Sequence, residues 1–192
     1  MRVISGSARR TVLKTIDGLG TRPTTDRIKE TLFNMLQSDI CDCRFLDLFS
    51  GSGGIGIEAL SRGAEKCWFV ENNREAAACI RDNLKATHLE NQAVLMECNV
   101  LIAIERLKGK EKAFDFIFMD PPYDKSLEFH VLKELRHTDL ADEHTMIIVE
   151  ASKHTSFDYL EELGYEAVRV KEYKTNIHMF IRKCEKMQPA KG

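Results

Sequence analysis

Short apolar runs alternate with longer amphipathic stretches along most of the chain. Apolar runs bounded by turn residues occur at Phe45–Phe49, Cys67–Glu71, Ala93–Glu97, Phe114–Asp120 and Met146–Ala151. Their length and their β-branched and aromatic content predict strands. Between and after them, apolar residues recur at helical spacing over Gly54–Arg62, Arg74–Thr87, Val100–Leu107, Leu127–Arg136 and Ser156–Leu163, which predicts helices. Such alternation forces parallel strands joined by right-handed crossovers. The pattern therefore predicts an α/β fold with a doubly wound sheet whose ligands lie beyond the strand C-termini.

The two ends of the chain break this rhythm. Tyr165–Tyr173 and Ile177–Arg182 are both β-rich and too close together for a helix between them, so they are expected to pair as an antiparallel hairpin. One reversed strand near a sheet edge follows. At the other end, Arg22-Pro23-Thr24-Thr25-Asp26 reads as a helix start, continued by Ile28, Leu32, Met35 and Leu36 at helical spacing. Before it, Arg2–Ser5 and Thr11–Ile16 flank Gly6-Ser7-Ala8 and predict a small β-hairpin.

Overall charge says little, since the formal net charge is −2, but its distribution says more. From Met1 to Glu30, Arg2, Arg9, Arg10, Lys14, Arg22, Arg27 and Lys29 outnumber Asp17, Asp26 and Glu30, leaving a basic arm. Its functional reading is phosphate contact through Arg2, Arg9, Arg10 and Lys14; the alternative is a solvated surface segment. The expected organisation is a basic arm over 1–21, one α/β domain over 22–184 and a frayed polar tail over 185–192, since 192 residues suit one compact core.

With 43% hydrophobic and 30% charged residues, and no apolar run near the ~20 residues of a membrane span, the composition predicts a cytoplasmic globular protein. The N-terminus turns polar at once, unlike a secretory signal. Cys41, Cys43, Cys67, Cys79, Cys98 and Cys184 are scattered through predicted elements and read as reduced core thiols rather than a disulfide framework. Cys41-Asp42-Cys43 has no second Cys or His pair at finger spacing, so no metal site is predicted.

Two motifs carry chemistry. In Asp47-Leu48-Phe49-Ser50-Gly51-Ser52-Gly53-Gly54-Ile55-Gly56, a glycine-rich turn follows a strand and opens a helix. Glycine permits a sharp turn and close backbone approach, and the helix start offers unpaired N–H groups to an anion. Glu71 ends the next strand, where a carboxylate can accept from both ribose hydroxyls of an adenosine. A nucleoside-containing cofactor follows, either a dinucleotide or S-adenosylmethionine.

The second motif, Asp120-Pro121-Pro122-Tyr123, ends the fourth strand after Phe116-Ile117-Phe118-Met119. The prolines stop the strand and fix a backbone carbonyl, Asp120 supplies an acceptor and Tyr123 a flat face. A planar amino group needs this combination: its two N–H groups bond Asp120 and the Pro121 carbonyl, its lone pair is aimed, and its base stacks on the ring.

These residues resemble the class I methyltransferases, and Asp120-Pro121-Pro122-Tyr123 looks like the (Asn/Asp)-Pro-Pro-(Tyr/Phe) motif of amino-group methylases. Arg22-Pro23-Thr24-Thr25-Asp26-Arg27-Ile28-Lys29-Glu30-Thr31-Leu32-Phe33-Asn34, the glycine turn and Gly56-Ile57-Glu58-Ala59-Leu60-Ser61-Arg62-Gly63-Ala64 are similar to the bacterial 16S ribosomal RNA guanine N2-methyltransferase family. The resemblance implies a Rossmann-like sheet of seven strands and S-adenosylmethionine as donor, leaving S-adenosylhomocysteine. It further implies a guanine of 16S ribosomal RNA as target, in a partly assembled small subunit; a monomer is expected.

The catalytic candidates are then Asp120, Pro121, Pro122 and Tyr123. The cofactor candidates are Arg22, Thr24, Asp47, Ser50, Gly51, Gly53, Glu71, Asn72, Asn99, Val100 and Asp120. Two positions depart from the family. Asn99 stands where an acidic residue is expected to meet the adenine amine, and Tyr173-Lys174-Thr175 replaces the usual Tyr-Gly before Thr. The rival readings are an adenine N6-methyltransferase acting on DNA or RNA, an NAD-dependent oxidoreductase, and a non-catalytic RNA-binding assembly module.

Overall fold

The computed structural model describes residues 1–16, 26–122 and 126–184. Its elements run α1 (Asp26–Met35), β1 (Arg44–Leu48), α2 (Gly54–Ser61), β2 (Lys66–Glu71), α3 (Arg74–Thr87), β3 (Ala93–Glu97), α4 (Val100–Leu107), β4 (Phe116–Met119), α5 (Leu127–Arg136), β5 (Met146–Ser152), β6 (Tyr165–Glu172) and β7 (Asn176–Lys183). Seven strands form one sheet in the order β3-β2-β1-β4-β5-β7-β6. β1 to β5 pair in parallel, while β7 runs antiparallel to both β5 and β6. The doubly wound sheet with one reversed strand is therefore as the sequence pattern predicts.

Side chains of one strand alternate between two cores. Leu46, Leu48, Trp68 and Val70 pack with Ile104 of α4 and Leu135 of α5 on one face. On the other, Phe45, Cys67 and Phe69 pack with Leu32 of α1, Ile57 of α2 and Ile80 of α3. Strand order reverses between β1 and β4, whose C-terminal residues Leu48 and Met119 lie in register. The segments after these two strands thus leave the sheet side by side, which opens the crevice where doubly wound sheets bind ligands.

One predicted element differs. Ser156–Leu163 is a series of turns and not a helix. The Ser156 hydroxyl donates to the Asp158 carboxylate at 2.8 Å and accepts from the Asp158 amide at 3.2 Å, local bonds that compete with a helical first turn. Downstream, Tyr165 N bonds Leu160 O at 2.8 Å as Gly164 takes φ +73° and reverses the chain into β6. The apolar spacing is that of a turn packing Leu160 inward.

The N-terminal hairpin is present and short: its arms meet at the antiparallel bridge of Arg2 with Val12 and through bonds from Val3 N to Thr11 O, Leu13 N to Met1 O and Arg10 N to Val3 O at 2.9–3.0 Å. Beyond this short ladder the amides turn to α2. Ile4 N and Ser5 N donate to the Glu58 carboxylate at 2.8 and 3.0 Å, and Ala8 N donates to Ser61 Oγ at 3.0 Å. Gly6 is forced by this docking, because a Cβ there would lie 1.6 Å from Ser61 O. Glu58 also meets Lys29 Nζ at 3.1 Å, both side chains fully buried, and Arg62 Nε at 2.8 Å.

Cys43, Cys67 and Cys79 are buried as expected of core thiols, whereas Cys98 and Cys184 are only half-buried and Cys41 is exposed, outside the core expected for it. Among the described residues no helix is long and apolar enough to cross a membrane. The β6–β7 turn closes by a bond from Tyr173 N to Asn176 O at 2.9 Å, and Lys174 needs no positive φ there.

Candidate active site at the switch point

The glycine turn grows directly from β1. Phe49, Gly51 and Gly53 take φ of +64°, +56° and +80°, so the chain folds back sharply before α2 begins. The glycines serve different ends. A Cβ on Gly56 would lie 2.3 Å from the Phe69 ring, so its absence lets α2 lie against β2. A Cβ on Gly51 would meet nothing within 4 Å, which leaves that backbone facing open space. Gly53 caps α2 without a side-chain bond, so the first turn keeps its amides for other acceptors.

Three carboxylates frame the crevice. Asp47, on β1 and 2% exposed, accepts from Gly56 N at 3.0 Å. Burial pushes its carboxyl up to about 8, against the Gly56 bond, and the charge of Glu71 adds to the rise. Glu71 ends β2 and holds the turn, with one oxygen accepting from Gly51 N and the other from Asn73 N, both at 2.8 Å. Asp120 follows β4; burial, then the negative charges of Glu150 and Asp47, hold it well above the usual carboxylate range.

One cavity of about 360 Å³ joins these groups. Asp47, Ser50, Gly51 and Glu71 line it from the glycine side, and Asp120 and Pro122 close the opposite end. Asn72, Asn99 and Val100 also border it, whereas Gly53 does not and faces the Ile57 and Ile80 side chains. Asn99 caps α4, its side-chain oxygen accepting from Leu101 N at 2.9 Å, which leaves that oxygen one further lone pair. Arg22, Thr24 and Tyr123 lie outside the described residues.

Of the basic candidates, Arg2 pairs with Asp26 at 3.3 Å and Lys14 with Asp82 at 2.7 Å, each near the surface. Arg9 and Arg10 are exposed, and neither has an ion pair among the described residues. Lys29 borders the cavity and was missed as a site residue, because one lysine in a charged helix reads as solvated. Glu150 was missed too, although it shares a signature with Glu71: a carboxylate closing an apolar strand run.

A sheet with β7 reversed beside β5, carrying a glycine turn after β1 and Asp-Pro-Pro after β4 at its switch point, makes this protein a class I methyltransferase by architecture. Over residues 1–182 the chain matches the family described as Conserved hypothetical protein 95, and it belongs to that family. It is 41% identical to the Bacillus subtilis protein YlbH over 150 residues, 78% of this chain and 82% of that one. Ribosomal RNA small subunit methyltransferase D of Escherichia coli (strain K12) is 36% identical over 151 residues, 79% of this chain and 74% of that one. The solved Escherichia coli yhhF structure superposes with a TM-score of 0.82 at 31% identity, covering 96% of this chain and 99% of that one.

Proposed function

We propose that the protein transfers a methyl group from S-adenosylmethionine to the N2 amine of a guanine in 16S ribosomal RNA, acting in the cytoplasm on a partly assembled small subunit. The observation that carries this reading is one cavity lined both by a nucleoside-type cradle, Gly51 and Glu71, and by Asp120 and Pro122 of the Asp-Pro-Pro turn. The 36% identity to a small-subunit ribosomal RNA methyltransferase supports the choice of RNA.

The residues present fit the donor. Gly51 leaves its backbone open, Glu71 keeps lone pairs beyond those given to two amides, and Asn99 borders the same space. Bound there, S-adenosylmethionine supplies an electrophilic methyl on a sulfonium. The protein's own part is positioning. Asp120 and the Pro121 carbonyl accept from the amine N–H groups, which aims an otherwise poor nucleophile. The raised proton affinity of Asp120 suits it to take the proton that the methylated nitrogen releases.

The exposure of Arg9 and Arg10 on the docked arm supports reading them as phosphate contacts. Calorimetric titration tests the cofactor: S-adenosylmethionine is expected to bind and NAD not to. The reverse would return the protein to the oxidoreductases. Labelled methyl transfer to RNA, lost in Asp120→Ala, separates an enzyme from an assembly module that only binds.

A further inference from the structure

A second cavity of about 450 Å³ lies on the far side of Pro121 and Pro122, which it shares as a wall with Glu150, Ser152, His154 and Tyr159. Pro122 borders both cavities, so an amine held at Asp120 belongs to a base seated in the second one. The polar groups of this cavity are built, not incidental. Glu150 is 4% exposed at the end of β5 and its carboxylate is held from two sides. Asn176 Nδ2 donates to one oxygen at 2.6 Å, and His178 Nε2, on a fully buried ring, donates to the other at 3.1 Å.

With Nε2 donating, His178 Nδ1 is left to accept from the Tyr173 hydroxyl at 3.2 Å, which orients the ring. Tyr159 presents the opposite situation. Its hydroxyl is buried with no hydrogen-bond partner among the described residues. A buried phenol without a partner is costly unless a ligand supplies one.

Resting on the methyltransferase reading above, we infer that this cavity receives the target guanine and that Glu150 and Tyr159 read its edge. Beside the N2 amine, guanine carries an N1–H donor and then the O6 acceptor. Glu150 accepts from N1–H, and the Tyr159 hydroxyl donates to O6. Asp120 and the Pro121 carbonyl keep the N2 amine. An adenine placed with its N6 amine at Asp120 would turn the N1 lone pair toward the Glu150 carboxylate, which repels it. Glu150 thereby supplies the choice between guanine and adenine that the Asp-Pro-Pro-Tyr motif leaves open.

The test uses small-subunit particles reconstituted with 16S RNA bearing either guanine or 2-aminopurine at the methylated position. 2-Aminopurine keeps the N2 amine, replaces N1–H by an acceptor and lacks O6. Wild type is expected to prefer guanine, and Glu150→Gln, whose amide can donate to N1 of the analogue, narrows that preference in kcat/KM by about tenfold or more. Tyr159→Phe is expected to lower kcat/KM for guanine by about tenfold and to leave 2-aminopurine unchanged. Equal losses on both bases in both variants would make the two residues structural and overturn the inference. Absence of any transfer to guanine by wild type would instead overturn the proposed function on which it rests.

Discussion

Asp120 and Asp47 occupy the same crevice, and neither keeps an ordinary carboxylate proton affinity. Burial and the charges of Glu150 and Asp47 hold the Asp120 carboxyl up, so its charged form emerges only above the usual carboxylate range. Methyl transfer is therefore expected to rise with pH along a limb that belongs to Asp120. Asp120→Asn keeps an acceptor oxygen and does not titrate; it should retain activity within about tenfold and flatten that limb, while Asp120→Ala loses about a hundredfold. An unchanged pH profile in Asp120→Asn would assign the limb to another group. Asp47 has a structural consequence. Its folded carboxyl titrates at about 8, so the proton it holds stabilises the fold fully below its unfolded value of 3.8, and that stabilisation is lost as pH rises through about 8. Asp47→Asn should thus gain roughly 1–3 kcal/mol over wild type at alkaline pH in urea unfolding and nothing near pH 4.

At the level of elements, the N-terminal arm is bolted to α2 through the buried Glu58 carboxylate and through Ser61. Glu58→Ala removes the partner of fully buried Lys29 and the acceptor for two arm amides, and should cost about 3–5 kcal/mol, with faster hydrogen exchange at Ile4 and Ser5. A loss under about 1 kcal/mol would mean that the arm holds by its bonds to Ser61 and Asn83 and its apolar contacts without Glu58. Replacing Arg9 and Arg10 by Ala should leave stability intact and flatten the salt dependence of RNA binding by about one to two in log–log slope. An unchanged slope would place the phosphate contacts elsewhere. The strands and helices around β1 to β5 were legible because period-2 and helical patterns reflect burial on two faces of one sheet. The docking of the arm was not: its partner Glu58 lies more than fifty residues away, and the pairing exists only once α2 has formed. Ser156–Leu163 misled for a related reason, since apolar spacing records which side is buried and not which bonds the backbone makes.

For the molecule as a whole, the reversal of strand order between β1 and β4 brings Gly51, Glu71 and Asp120 to one cavity, and the same Pro-Pro turn walls off a second. The first cavity was legible because Gly51 and Asp120 sit in two compact motifs after β1 and β4 and Glu71 closes the strand that follows the first of them. The second was not, because Glu150 and Tyr159 that line it, and Asn176 and His178 that hold Glu150, come from β5, the turns after it and the reversed strand, with no shared motif. The central claim concerns donor, atom and substrate together, and one measurement reaches all three. Nucleosides of 16S RNA from cells lacking this protein are analysed by mass spectrometry before and after treatment of their small-subunit particles with the protein and S-adenosylmethionine. N2-methylguanosine missing at one site and restored by the treatment is the predicted result. Unchanged N2-methylguanosine, with N6-methyladenine appearing in RNA or DNA instead, would contradict it.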